Sequence, residues 1–119
     1  MATDLAERTC IPCRGGVPPM VPADAEALLA ELDNGWELRD DGHLVLEKCY
    51  RFENFAQALE FVNRVGAVAE EQRHHPDVAL SWGRVTLQVW THKIKGLTES
   101  DFVFAAKCDR VEDQRTHAE

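Results

Sequence analysis

A chain of 119 residues that is 45% hydrophobic can bury one modest core, so a single domain is expected. Thirteen basic residues against twenty-one acidic ones leave a formal net charge of -8, which repels phosphate backbones and anionic lipid and argues against direct nucleic-acid or membrane binding. No apolar run approaches the roughly 20 residues of a membrane span, and Met1 to Glu7 lacks a basic start followed by an apolar segment, so a cytoplasmic protein with reduced thiols is expected.

Residues 1–21 read as an irregular N-terminal arm, because Gly15-Gly16-Val17-Pro18-Pro19 acts against regular structure. Within it, Cys10-x-x-Cys13 could supply half of a tetrahedral zinc site or a redox pair. No second close Cys/His pair follows at finger-like spacing and no βαβ context surrounds it, so no metal is expected. From Pro22 to Leu32 a leading proline, early acids and strong helix formers predict a helix, which Asn34-Gly35 ends. Two strands, Trp36 to Asp40 and His43 to Arg51, flank the turn dipeptide Asp41-Gly42.

Asn54 is placed to cap a second helix running to about Arg73, with Phe55, Leu59, Val62, Val65 and Ala69 forming an apolar stripe expected to cover the sheet. A second hairpin follows: Asp77 to Trp82, a turn at Gly83, then Arg84 to His92 with period-2 alternation. Thr98 caps a last helix with an acid, Asp101, at its third position and Phe102, Ala105, Ala106 and Val111 inward. Residues 113–119 form a polar tail expected to fray. The fold class is therefore α+β, a four-stranded antiparallel sheet with helices packed on one face in the order α-β-β-α-β-β-α, and residues 22–112 form the domain. Trp36, Trp82 and Trp90 are expected in the core or at subunit contacts, and His43 and His117 in solvent.

Three histidines carry the chemistry. Imidazole alone among side chains has an unperturbed pKa near neutrality, roughly 6.5, so it both gives and takes protons at cellular pH. His74 and His75 precede the second hairpin and His92 ends it; His74 and His92 each lie nine positions from Gly83, so folding about that glycine sets them opposite one another. Glu70 and Asp101 are carboxylates that could fix an imidazole tautomer. A zinc reading is weak, because adjacent histidines point apart on regular backbone and no His-Glu-x-x-His pattern exists.

Glu70-x-x-x-His74-His75-Pro76, followed by Thr91-His92-x-x-x-Gly96-Leu97-Thr98-x-x-Asp101, resembles the signature of the pterin-4a-carbinolamine dehydratases. The likeness extends over about residues 22–112, with Gly35-Trp36 and Phe52, Phe55 and Phe61 contributing. It implies dehydration of 4a-hydroxytetrahydropterin to quinonoid dihydropterin, the recycling step after a pterin-dependent aromatic amino-acid hydroxylase, with the pterin as substrate and no metal or organic cofactor. It further implies His74, His75 and His92 as catalytic residues and pterin contacts at Glu70, Pro76, Thr91, Lys93, Ile94 and Asp101. Hydroxide must leave C4a while N5 loses its proton, so His74 and His92 are expected as the acid/base pair, with their roles open, and His75 as the residue orienting the pterin. The resemblance also implies a homodimer or homotetramer. Its alternative function, a non-catalytic dimerisation or assembly factor binding a partner protein, would not need three histidines and Asp101 in register.

Overall fold

The computed structural model describes residues 3–10, 18–32 and 35–117. In chain order the elements are α1 (Thr3–Glu7), α2 (Pro22–Leu29), β1 (Glu37–Asp40), β2 (Leu44–Arg51), α3 (Phe55–Gln72), β3 (Asp77–Ser81), β4 (Arg84–Val89) and α4 (Glu99–His117). The strands form one antiparallel sheet in the order β1-β2-β4-β3, so β4 pairs with β2 to join the two hairpins and leaves β1 and β3 at the edges. Helices pack against this sheet, giving the expected α+β fold. On β4 the alternation is realised: Val85, Leu87 and Val89 are fully buried while Arg84 is exposed. Among the described residues no helix is long and apolar enough to cross a membrane.

The N-terminal arm departs from expectation. Thr3–Glu7 is helical and Leu5 is fully buried, with Lys107 Nζ on α4 donating to the Ala6 carbonyl at 2.8 Å. A five-residue helix has no stability of its own, so nothing local in the sequence announces it; α4 supplies the apolar seat. Cys13, Gly15-Gly16-Val17 and Asn34 lie outside the described residues. At the other end α4 continues to His117, past the expected fray at Asp113, because the run contains no glycine or proline to stop it.

On α3, Asn54 caps as expected, its side chain accepting from the Gln57 N–H at 2.8 Å. The buried face is Ala58, Phe61, Val65 and Ala69, whereas Phe55 and Leu59 are 44% and 40% exposed. Two overlapping sets of apolar residues recur at three- and four-residue steps along this helix, so period alone does not choose between them. Small Ala58 and Ala69 let the backbone lie close to the sheet while Phe61 fills the space, its ring 4.6 Å from Tyr50 and 5.2 Å from Phe52.

The second hairpin pairs Ser81 with Arg84 and Asp77 with Gln88, so its turn is Trp82-Gly83 and the register sits one position from that expected. The Phe52 N–H donates to the Gly83 carbonyl at 2.8 Å, and a Cβ at Gly83 would come within 2.9 Å of the Phe52 oxygen, which makes glycine the residue that fits. Paired strand ends at Val89 rather than His92, and Trp82 falls in the turn, 69% exposed.

Candidate active site

α3 ends at Arg73, whose backbone turns left-handed (φ 55°, ψ 41°). That conformation is uncommon for a residue with a side chain, and it redirects the chain so that His74 returns toward the start of α4. There His74 Nε2 meets Asp101 Oδ1 at 2.6 Å. The other carboxylate oxygen of Asp101 accepts from the Thr98 N–H and from Thr91 Oγ1, each at 2.8 Å. One fully buried carboxylate therefore closes the first turn of α4, ties down the segment after β4 and holds an imidazole. Asp101 thus closes the helix end and holds His74 at the same time. A carboxylate accepts and does not donate, so the His74 hydrogen lies on Nε2 and Nδ1 is left for a ligand.

His75 Nε2 lies 2.7 Å from Glu70 Oε2 on the last turn of α3. Both partners are largely in solvent, so this contact orients a ring without adding much stability. Beyond β4 the chain makes a narrow loop: the Thr91 N–H donates to the Gly96 carbonyl at 2.8 Å and the Gly96 N–H to the Thr91 carbonyl at 3.4 Å. Pro19 packs on it so closely that a Cβ at Gly96 would come within 2.6 Å of the proline ring, and the Met20 N–H donates to the Leu97 carbonyl at 2.9 Å.

These elements enclose a cavity of about 340 Å³ lined by Arg73, His74, His75, Trp90, Thr91, His92 and Lys93, within the size range of small-molecule sites. The three predicted histidines thus line one cavity, together with Thr91 and Lys93. Glu70 and Asp101 stand behind the lining as the partners of His75 and His74. Pro76 and Ile94 are not among the lining residues. Sequence reasoning missed Arg73, Trp90, Asp77 and His43. Asp77 Oδ2 accepts from Trp90 Nε1 at 3.0 Å and lies 3.9 Å from His92 Nε2, and His43, expected in solvent, is half-buried against Trp90 with ring centroids 4.0 Å apart.

Among the described residues no three His, Cys, Asp or Glu side chains are grouped as metal ligands. Cys10 is buried, its Sγ 3.6 Å from the Ser100 carbonyl, and burial pushes its thiol up to about 11, so at neutral pH it is the unreactive thiol form. Burial likewise raises Cys108, whereas Cys49 is exposed. Brief treatment of the native protein with iodoacetamide should alkylate Cys49 well before Cys10 or Cys108, read by peptide mass mapping; fast labelling of Cys10 would restore a redox role.

A model of the family described as pterin 4 alpha carbinolamine dehydratase matches residues 18–111. The chain belongs to this family. Among its dehydratase relatives, a protein of Rubrobacter xylanophilus is 57% identical over 109 residues, covering 92% of this chain and 99% of its own. One of Rickettsia canadensis is 50% identical over 107 residues, covering 90% and 96%. Both are provisionally named pterin-4-alpha-carbinolamine dehydratases. The solved transcriptional coactivator/pterin dehydratase from Brucella melitensis superposes with a TM-score of 0.72 at 27% identity, over 78% of this chain and 97% of that one. A pterin dehydratase-like protein identified as a RuBisCO assembly factor in the alpha-carboxysome shares the fold, with a TM-score of 0.57 at 23% identity over 66% and 89% of the two chains. The dehydratase match holds every cleft residue and both carboxylate partners, Glu70 and Asp101, while α1 and Cys10, packed on α4, lie ahead of it.

Proposed function

We propose that this chain dehydrates 4a-hydroxytetrahydropterin to quinonoid dihydropterin and water, using His74 and His92 as the acid/base pair. The observation that carries this reading is the presence of three imidazoles on one cavity of about 340 Å³, the least exposed of them held by a buried carboxylate. One imidazole protonates the departing oxygen as the C4a–O bond breaks; the other takes the proton from N5, whose electrons form the N5=C4a bond. Water leaves, and the protons balance. General acid/base assistance of this kind contributes on the order of 10²–10⁴-fold. His75, with Glu70 behind it, orients the ring, and Thr91, Lys93, Pro76 and Ile94 belong to the segments that contact the pterin. The pterin is the substrate, so the reaction needs no further cofactor; it would consume the product of a pterin-dependent aromatic hydroxylase in the cytoplasm.

The direct test generates the 4a-carbinolamine in situ and follows the decay of its absorbance with and without the purified chain. Accelerated decay is expected. Decay at the uncatalysed rate would overturn the reading and favour the alternative, a non-catalytic assembly factor binding a partner protein.

A homodimer or homotetramer is part of the same proposal. Val78 on edge strand β3, Trp82 in the following turn, and Phe55 and Leu59 on α3 are each at least 40% exposed, which is more large apolar surface than a small monomer needs to show. Light scattering at micromolar concentration should give a mass of two or four chains; a monomer mass throughout would refute it.

A further inference from the structure

His92 is the least anchored of the three cleft imidazoles. It follows the end of β4, its side chain is half exposed, and its Nε2 stands 3.9 Å from Asp77 Oδ2, beyond hydrogen-bond reach. His74 and His75 are tied to their carboxylates at 2.6 and 2.7 Å. A ring that must meet a reacting atom loses rate if it wanders, because a small misplacement of a catalytic group is costly. Something other than a hydrogen bond must hold it.

We infer that Asp77, Trp90 and His43 are positioning residues for His92, with the stacked His43–Trp90 pair set against its ring so as to fix it in the cleft. The Trp90 and His92 rings lie 3.9 Å apart at 55°. Trp90 is in turn fixed on two sides. Its indole N–H donates to Asp77 at 3.0 Å, and its other neighbour, His43, stacks at 4.0 Å and 24°. His43 Nδ1 contacts the Leu44 carbonyl at 3.3 Å, which as an acceptor places the hydrogen on Nδ1 and pins that ring as well. The supports come from three places: the β1–β2 turn, the first residue of β3, and the link beyond β4. Asp77 sits in the ladder opposite Gln88, so its carboxylate is carried on rigid backbone. When His92 takes up a proton, Asp77 is the acid able to close on it as an ion pair. Each cleft imidazole then has its own carboxylate: Asp101 for His74, Glu70 for His75 and Asp77 for His92. In this arrangement His43 acts through its flat face and not through its nitrogens.

The inference rests on the dehydratase reading, and two measurements separate their fates. The first is steady-state turnover of the full chain and of His43→Ala, His43→Phe, Trp90→Ala and Asp77→Asn, each checked for folding by circular dichroism. His43→Ala should lower kcat by about fivefold with KM nearly unchanged, and Trp90→Ala by about tenfold or more. His43→Phe, which keeps a stacking face, should restore kcat. Asp77→Asn keeps an acceptor for the indole but not the charge, so it should alter the pH–rate profile more than KM. The second is the NMR signal of the His92 ring protons, displaced by the indole ring current, which needs no turnover. That displacement should shrink in His43→Ala and return in His43→Phe. A wild-type chain without turnover would sink the dehydratase reading and leave the stack to be judged by NMR. Wild-type kcat in His43→Ala and Trp90→Ala, His43→Phe as slow as His43→Ala, or His92 signals unchanged in every folded variant would overturn the inference.

Discussion

Asp101→Asn is expected to lower kcat by about 10²-fold or more while leaving the fold in place, and His74→Ala and His92→Ala to lower it at least as far. The cause lies in the hydrogen bonds that Asp101 accepts. Oδ2 serves the Thr98 N–H and Thr91 Oγ1, and Oδ1 serves His74 Nε2. An asparagine has one accepting atom and one donating group. If its NH₂ faced Thr98, two N–H groups would confront each other in a fully buried place, a cost of about 1–3 kcal/mol. The side chain therefore turns its oxygen toward Thr98 and Thr91, and its NH₂ toward His74. That forces Nε2 of His74 to accept and moves the ring hydrogen to Nδ1, the nitrogen available to the ligand. The site would then present the wrong tautomer in nearly unchanged geometry. Turnover, together with the ¹⁵N chemical shifts of the His74 ring, checks both halves. Wild-type kcat in Asp101→Asn, or a tautomer that does not switch, would refute it.

The readable and unreadable parts of this molecule divide along a physical line. The order of elements from α2 to α4, the Asn54 cap and the acid at the third position of α4 were legible because each follows from residues within a turn or two of one another. The three histidines were legible because the hairpin that joins them is itself a local signal, even though the two-residue turn at Trp82-Gly83 set the register one position away. What the sequence did not disclose depends on contact between distant segments. Leu5 is buried only because α4 receives it. Trp90 reads as core or interface until His43, from another hairpin, is found against its face. Asp77 reads as the polar start of a strand until the indole points at it. The left-handed turn at Arg73 is likewise imposed by what His74 must reach, with no glycine to announce it.

The largest loss of stability is expected from Asp109→Ala, about 3–5 kcal/mol. Asp109 lies on α4 two helical turns beyond Asp101, so it anchors the helix that carries the site's buried carboxylate. Its Oδ1 accepts from Lys48 Nζ at 2.7 Å and Tyr50 OH at 2.6 Å, and its Oδ2 from Trp36 Nε1 at 2.9 Å. Burial and the neighbouring carboxylate raise the Tyr50 hydroxyl far above its usual range, so it stays protonated and donates. Alanine would leave a buried ammonium, a hydroxyl and an indole N–H without their acceptor, and the unpaired charge dominates the cost. The carboxylate itself is not at ease there: desolvation raises its pKa above the ordinary 3.8 against the opposing pull of the three donors. A group whose folded pKa exceeds its unfolded value adds stability that is fully present below the unfolded pKa and is lost as pH rises through the folded one. Asp109→Asn, which cannot ionise, lacks this term. Urea unfolding between about pH 4 and pH 7 should therefore show the advantage of wild type over Asp109→Asn shrinking toward neutrality, while Asp109→Ala stays well below both. An Asp109→Ala midpoint equal to wild type would mean that the Lys48, Tyr50 and Trp36 donors hold α4 no better than apolar packing does. A wild-type advantage that grew with pH would mean that the ion pair with Lys48 outweighs the desolvation of Asp109.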